Sequence, residues 1–164
     1  MLTPGTGGDG FRVLGKFNSD GSVGEVSVVR MEAESLASLV KNEGKPMSVR
    51  CWAIDWLAQI NNAEPYLIAA LKAEDSPVDI RKTAARWLAV WLPEKGLSAV
   101  ADVLWDKAAP TELQEACYYA LDWALIAPRA KAVHPEVWKQ IERAAGHPNA
   151  EISTAAKKKL DEKK

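Results

Sequence analysis

The chain has 164 residues, 48% of them hydrophobic and 26% charged, with a formal net charge of −1. The length fits one domain with a modest appendage, and the balance is ordinary for a folded globular chain. The near-neutral charge speaks against a dedicated nucleic-acid binder, because such proteins draw much of their affinity from neutralising phosphates with a basic excess. Only a local basic patch remains open to that reading.

Residues 1–10 hold four of the ten glycines and no apolar periodicity, which predicts a flexible tail. This segment lacks the basic start and apolar centre of a signal peptide. No apolar run in the chain approaches the ~20 residues that a membrane-spanning helix needs. A cytoplasmic protein without membrane insertion is therefore expected. Residues 11–31 alternate apolar and polar positions around Asn18-Ser19-Asp20-Gly21, with Phe11, Val13 and Phe17 before the turn and Val26 and Val28 after it. Period-two alternation about an Asp-Gly turn predicts a β-hairpin. A lone hairpin is marginal in water, so it is expected to dock on something.

From Glu32 onward the pattern is helical. A short amphipathic stretch runs from Glu32 to Asn42, with Leu36, Leu39 and Val40 on one face and Gly44 as the stop. Pro46 and Ser48 open a helix that runs to Ile60 and breaks at Asn61-Asn62. Pro65 starts the next. Asp75-Ser76-Pro77 caps a helix that runs to Leu92, where Pro93 stops it. Leu97, Val100, Ala101 and Leu104 follow Gly96 on another helix. Pro110-Thr111 opens one that ends at Pro128, Pro135 begins the next, and Gly146-His147-Pro148 stops that. The final helix starts near Asn149 and is expected to fray into a solvated Lys-rich end.

Helices of this length between Pro, Gly and Asn breaks suggest a repeat array. Self-alignment matches Ala53-Ile-Asp-Trp-Leu57, Ala84-Ala-Arg-Trp-Leu88 and Ala120-Leu-Asp-Trp-Ala124. It places Trp56, Trp87 and Trp123 at one repeat position, 31 and then 36 residues apart. Ala156 to Leu160 is a degenerate fourth copy without Trp, as suits a terminal repeat whose outer face meets water. Val49, Ala53, Leu57 and Ile60 form one helix face, and Ile80, Ala84, Leu88 and Trp91 form the equivalent face one repeat on. The residue before each Trp reads Asp55, Arg86, Asp122 and then Lys158, which predicts a charge ladder between neighbouring repeats. Placing Leu113 opposite Ile80 instead moves Tyr119 into the Arg86 position and breaks the ladder.

Asp75-Ser-Pro-Val-Asp-Ile-Arg81-Lys-Thr-Ala-Ala85-Arg-Trp-Leu88 resembles the second half of a HEAT repeat: an Asp in the turn, a Pro, a Val/Ile-Arg pair, small residues, then Leu. Ser48-Val49-Arg50 is a second copy, while Leu113-Gln114 and Ile152-Ser153 lack the Arg. The resemblance spans residues 32–162. It implies a mainly α fold, an α-α superhelix of HEAT-like, armadillo-type helix pairs, with the β-hairpin at its N-terminal end. Gly15 to Val29 is similar to the central hairpin of TonB-type C-terminal domains, although that fold's closing strand is missing. That likeness implies a bacterial envelope context if the chain is part of a longer protein.

Seven tryptophans is a high count for this length. Trp56, Trp87, Trp91 and Trp123 are expected to fill space between repeats. Trp52, Trp105 and Trp138 lie off the apolar faces of their helices and are the candidate partner-binding residues, since exposed Trp is the type most enriched in binding hot spots. Helical arrays usually bind along the second helix of each pair, where Trp105 is expected to lie. His134 and His147, each before a Pro, fit turn or capping roles. Cys51 and Cys117 lie in apolar helical stretches without metal-ligand spacing, as small buried residues do. No nucleophile–base arrangement, phosphate loop or metal cluster is legible, so neither catalysis nor a cofactor is expected.

The expected function is a non-catalytic scaffold that binds another protein on a curved helical surface. Two alternatives follow from the resemblance. A HEAT-like DNA glycosylase would show a basic groove with Trp and Asp at its centre. A bilin-lyase-like small-ligand binder would show an aromatic pocket and an exposed Cys51 or Cys117.

Overall fold

The computed structural model describes residues 10–17, 23–60, 62–91, 93–126 and 134–163. Residues 1–9 of the expected tail and the Asp-Gly turn lie outside the described residues, and Gly10 opens a strand. The backbone of β1 (Gly10–Phe17) pairs antiparallel with β2 (Val23–Met31), Gly10 opposite Met31 and Val13 opposite Val28.

The rest of the described chain is helical: α1 (Ala33–Lys41), α2 (Met47–Leu57), α3 (Glu64–Lys72), α4 (Val78–Trp91), α5 (Pro93–Leu104), α6 (Thr111–Ile126), α7 (Pro135–Ala144) and α8 (Ala150–Glu162). The expected breaks act through identifiable geometry. Asn42 ends α1 and its Oδ1 accepts the Gly44 N–H at 3.0 Å. Asn62 takes a φ of 62°, a left-handed conformation that Asn tolerates better than most residues. His134 caps α7, its Nδ1 accepting the Glu136 N–H at 3.2 Å, and Asn149 caps α8 by accepting from Glu151 N–H at 2.8 Å.

Each odd-numbered helix packs on the even-numbered helix that follows it. Side by side, α1, α3, α5 and α7 make a first layer and α2, α4, α6 and α8 a second. The core lies between the layers. Aligned on helix starts, the inward rows of the second layer are Ile80, Leu113 and Ile152, then Ala53, Ala84, Cys117 and Ala156, then Leu57, Leu88 and Leu121, all essentially inaccessible to solvent. Full burial of such a Leu or Ile contributes about 1.5–3 kcal/mol, and the Ala row lets the layers approach closely.

A polar device holds each pair. The carbonyls in the last turn of a helix have no partner in the helix and sit at its negative end. Buried Arg50 donates from Nε to the Val40 carbonyl at 2.7 Å, and buried Arg81 does the same to Leu71 at 2.9 Å. The third pair has Gln114 at that position, which bonds to the Asp106 and Ala109 carbonyls instead. The Leu104 carbonyl, at the end of α5, is met by His147 Nε2 at 3.0 Å from the turn after α7. In the fourth pair Ser153 Oγ reaches the Ala145 carbonyl at 2.8 Å.

Three expectations need correction. Pro93 opens α5 rather than merely stopping α4, because a helix's first position tolerates a residue without an N–H. Gly96 is therefore inside α5, where a Cβ would sit 2.4 Å from the Leu88 carbonyl oxygen. The Lys-rich end does not fray at its start: α8 runs to Glu162, held by Lys159 at 3.0 Å from Asp122 and by Lys163 at 3.5 Å from Glu142. Asp122 is the first cause that raises the Lys159 pKa, by hydrogen bonding to the charged ammonium.

The third correction concerns register. Ten residues beyond the residue that precedes each second-layer helix stand Trp56, Trp87, Ala120 and Lys159. Trp123 is outside that row, and the alternative alignment of Leu113 with Ile80 is the one the packing follows. The ladder accordingly has one rung of the expected kind, Asp55 to Arg86 at 3.4 Å. Tyr119 occupies the next position and donates to Glu151 at 3.1 Å, while Asp122 meets Lys159 rather than Lys158. With side chains 49% and 39% exposed, the Asp55–Arg86 pair contributes about 0–1 kcal/mol.

Candidate interaction surface

The second layer's outward face carries the candidate site. Trp87 projects from α4 toward α2, its Nε1 donating to Asp55 Oδ1 at 2.6 Å, and its half-buried ring packs on the core. Trp56 packs against the core as well. One repeat on, Ala120 has no ring to place between α4 and α6, and a furrow of about 430 Å³ opens there. Its lining includes the small residues Thr83, Ala116 and Ala120.

Beside this furrow α6 exposes Tyr119 (44%), Trp123 (56%) and Ile126 (69%), the exposed large hydrophobic side chains among the described residues. Their i, i+4, i+7 spacing puts them on one helix face, turned away from Leu113, Cys117 and Leu121. The charges around the furrow have both signs. Lys82 bridges to Glu112 at 2.9 Å, Glu115 accepts from Asn149 Nδ2 at 2.9 Å, and Arg86 lies toward Asp55. Glu151, by accepting the Tyr119 hydroxyl, raises the pKa of that phenol.

The three candidate tryptophans are placed differently from one another. Trp52 is half-buried on α2, 5.8 Å from Trp56 between ring centres. Trp105 follows α5 in the first layer, not on a second helix as expected, because α5 opens its pair. Its ring is covered by the Arg143 guanidinium at 4.1 Å and meets the His147 ring at 4.8 Å. Trp138 on α7 carries Lys163 over its ring at 4.2 Å. The side chain of Trp91 lies outside the described residues. Trp123, expected in the core, is exposed, because α6 begins three residues earlier relative to its Asp-Trp pair than α2 does. Tyr119 and Ile126 were missed as surface residues, although their spacing opposite the Leu113–Cys117–Leu121 face marks them.

Asp55 and Asp122 lie on α2 and α6 with α4 between them, and each carboxylate is engaged by a cation. Asp75 lies exposed in the turn before α4, and Arg81 is buried with its Nε on a carbonyl. Among the described residues no His, Cys, Asp and Glu cluster is arranged to hold a metal. No described helix is long and apolar enough to cross a membrane.

Cys117 is fully buried in the core row, and burial pushes its thiol up to about 12. Cys51 is half-buried and free. In a native-state maleimide or disulfide-exchange assay at pH 8, Cys51 is expected to react first and Cys117 only at the rate of unfolding, since the thiolate is the nucleophile. Equal rates for the two would show that Cys117 is reached without unfolding.

No known family model matches the chain, and no curated protein sequence matches it.

Proposed function

We propose that this chain is a non-catalytic protein-interaction module: a HEAT-like, armadillo-type α-α superhelix with an N-terminal β-hairpin, docking a partner protein along the α4–α6 furrow. The observation that carries this reading is the missing ring at Ala120 beside the exposed Tyr119 and Trp123. An open furrow flanked by aromatics suits an apolar anchor side chain, and the Lys82, Glu112, Glu115 and Arg86 rim suits a partner of mixed charge. The hairpin would cap one end of the stack or lend a strand edge to the partner.

The test is a random-peptide display selection against the intact chain. Selected peptides should bind Trp123→Ala at least about tenfold more weakly, as expected for loss of a hot-spot aromatic. Ala120→Trp, which fills the furrow, should also block them, with unchanged circular dichroism as the control for folding. If Ala120→Trp disturbs the fold, Tyr119→Ala serves as the second surface variant. Peptides that bind wild type and both surface variants equally would sink the proposal.

The glycosylase-like alternative finds Asp55 beside Trp87, as it requires. Against it, that carboxylate is already taken up by Trp87 Nε1 and Arg86, and the face is not basic. The bilin-lyase-like alternative loses Cys117 to burial and keeps only the half-buried Cys51.

A further inference from the structure

The first layer has its own concavity, about 600 Å³, between α5 and α7. Its lining shares no residue with the α4–α6 furrow, and it is independent of the function proposed for that furrow. Two of its lining residues each bury a polar atom that has no hydrogen-bond partner among the described residues: Trp105 Nε1, a donor, and Gln140 Oε1, an acceptor. Gln140 is only 8% exposed.

Neither orphan is removed by turning a side chain. The Gln140 Nε2 donates to Glu136 Oε1 at 2.7 Å, and because an ionised carboxylate only accepts, the amide cannot flip to use its oxygen there. Glu136 is held below the usual carboxylate range, first by that bond from Gln140 and also by Lys139, which keeps it ionised. The Trp105 ring packs against the His147 ring at 4.8 Å and also carries the Arg143 guanidinium.

Two of the charged groups at this concavity are paired, and the third lies on an aromatic ring. Asp102 is paired with Lys72 at 2.9 Å, Glu136 accepts from Gln140 and Lys139, and Arg143 rests on the Trp105 ring. What is left over is one neutral donor and one neutral acceptor. An anion would answer only the donor and a cation only the acceptor, whereas an amide carries one acceptor and one donor in a single plane. The volume lies within the range of small-ligand sites.

We propose that the α5–α7 concavity binds an amide group, its carbonyl accepting from Trp105 Nε1 and its N–H donating to Gln140 Oε1. The exposed Arg143 covers the indole and swings aside as the amide enters. The amide belongs either to a free primary carboxamide or to the backbone of a peptide.

Titration of the full chain, followed on the indole N–H resonances in proton–nitrogen correlation spectra, tests this. Trp105→Phe identifies the Trp105 signal. Acetamide and N-methylacetamide should each move that signal saturably, while acetone, which lacks the N–H, should bind at least about fivefold more weakly. Gln140→Met keeps the volume but removes the acceptor, and it should weaken both amides by a similar factor without moving the thermal midpoint downward. Tighter binding of N-methylacetamide points to a peptide backbone, and tighter binding of acetamide to a free carboxamide. A shift that is linear in concentration and the same for acetone overturns the proposal. So does a persistent water cross-peak to the Trp105 indole N–H at saturating amide, which would mean that buried water satisfies the pair.

Discussion

Gly96→Ala is expected to lower the thermal midpoint by several degrees, and Gly96→Val by more. A Cβ at this position meets the Leu88 carbonyl oxygen at 2.4 Å and the Leu88 carbonyl carbon at 2.8 Å. Both are backbone atoms, so α4 or α5 must move as a body to make room. Overpacking of this kind costs about 1–3 kcal/mol, and for a chain of this size each kcal/mol shifts the midpoint by roughly 2–4 °C. The sign is diagnostic. Helix propensity alone makes Ala better than Gly inside α5 by about 1 kcal/mol, so a surface glycine there would give the opposite result. Ser98→Ala, at an exposed position on the same helix, serves as the control and should be neutral or slightly stabilising. A rise in midpoint for Gly96→Ala, measured by circular dichroism, would show that α4 and α5 do not approach this closely. The consequence reaches the candidate surface, because Leu88 lies in the inward row of α4 and α4 forms one wall of the furrow.

Most of the helix order can be read from the sequence because its signals are local. Pro46, Pro77, Pro110, Pro135 and Asn149 each set a start within a residue or two, and Asn42 and Asn62 mark breaks. The inward rows follow from three- and four-residue spacing once the starts are known. The candidate site was less legible because it depends on register between repeats. Ala53-Ile-Asp-Trp and Ala120-Leu-Asp-Trp match letter for letter at three of four places, yet the second lies three residues further along its helix. Three residues turn a helix by about 300° and advance it about 4.5 Å. That rotation takes Trp123 out of the inter-helix gap and onto the surface, and it leaves Ala120 where a ring would have been. Counting from each proline instead of matching the words would have exposed the gap. The covering of Trp105 by Arg143 and of Trp138 by Lys163 joins residues brought together only by the packing, and no spacing in the chain announces it.

His147→Phe is expected to destabilise the fold by about 1–3 kcal/mol, the cost of leaving a buried carbonyl without its donor. His147 is buried, and its Nδ1 accepts the Asn149 N–H at 3.1 Å, so Nε2 carries the proton and donates to Leu104. Phe keeps the stacking on Trp105 but loses both bonds. The first two pairs suggest how to recover one of them. Arg50 and Arg81 reach carbonyls ten residues upstream, and the residue ten beyond Leu104 is Gln114. Gln114→Arg should therefore do little in the wild-type chain, where His147 already occupies the Leu104 carbonyl and two Gln114 bonds are given up. In the His147→Phe background it should restore part of the lost stability. The recovery is expected to be incomplete, because the bond that orders the Asn149 cap of α8 is not replaced. A double-mutant cycle by urea denaturation measures the difference, and a coupling of at least about 0.5 kcal/mol is expected for two groups competing for one acceptor. An equal effect of Gln114→Arg in both backgrounds would mean that the two side chains do not share the Leu104 carbonyl. The histidine bond to Leu104 would then stand alone, beyond the reach of the position from which Arg50 and Arg81 hold the first two pairs.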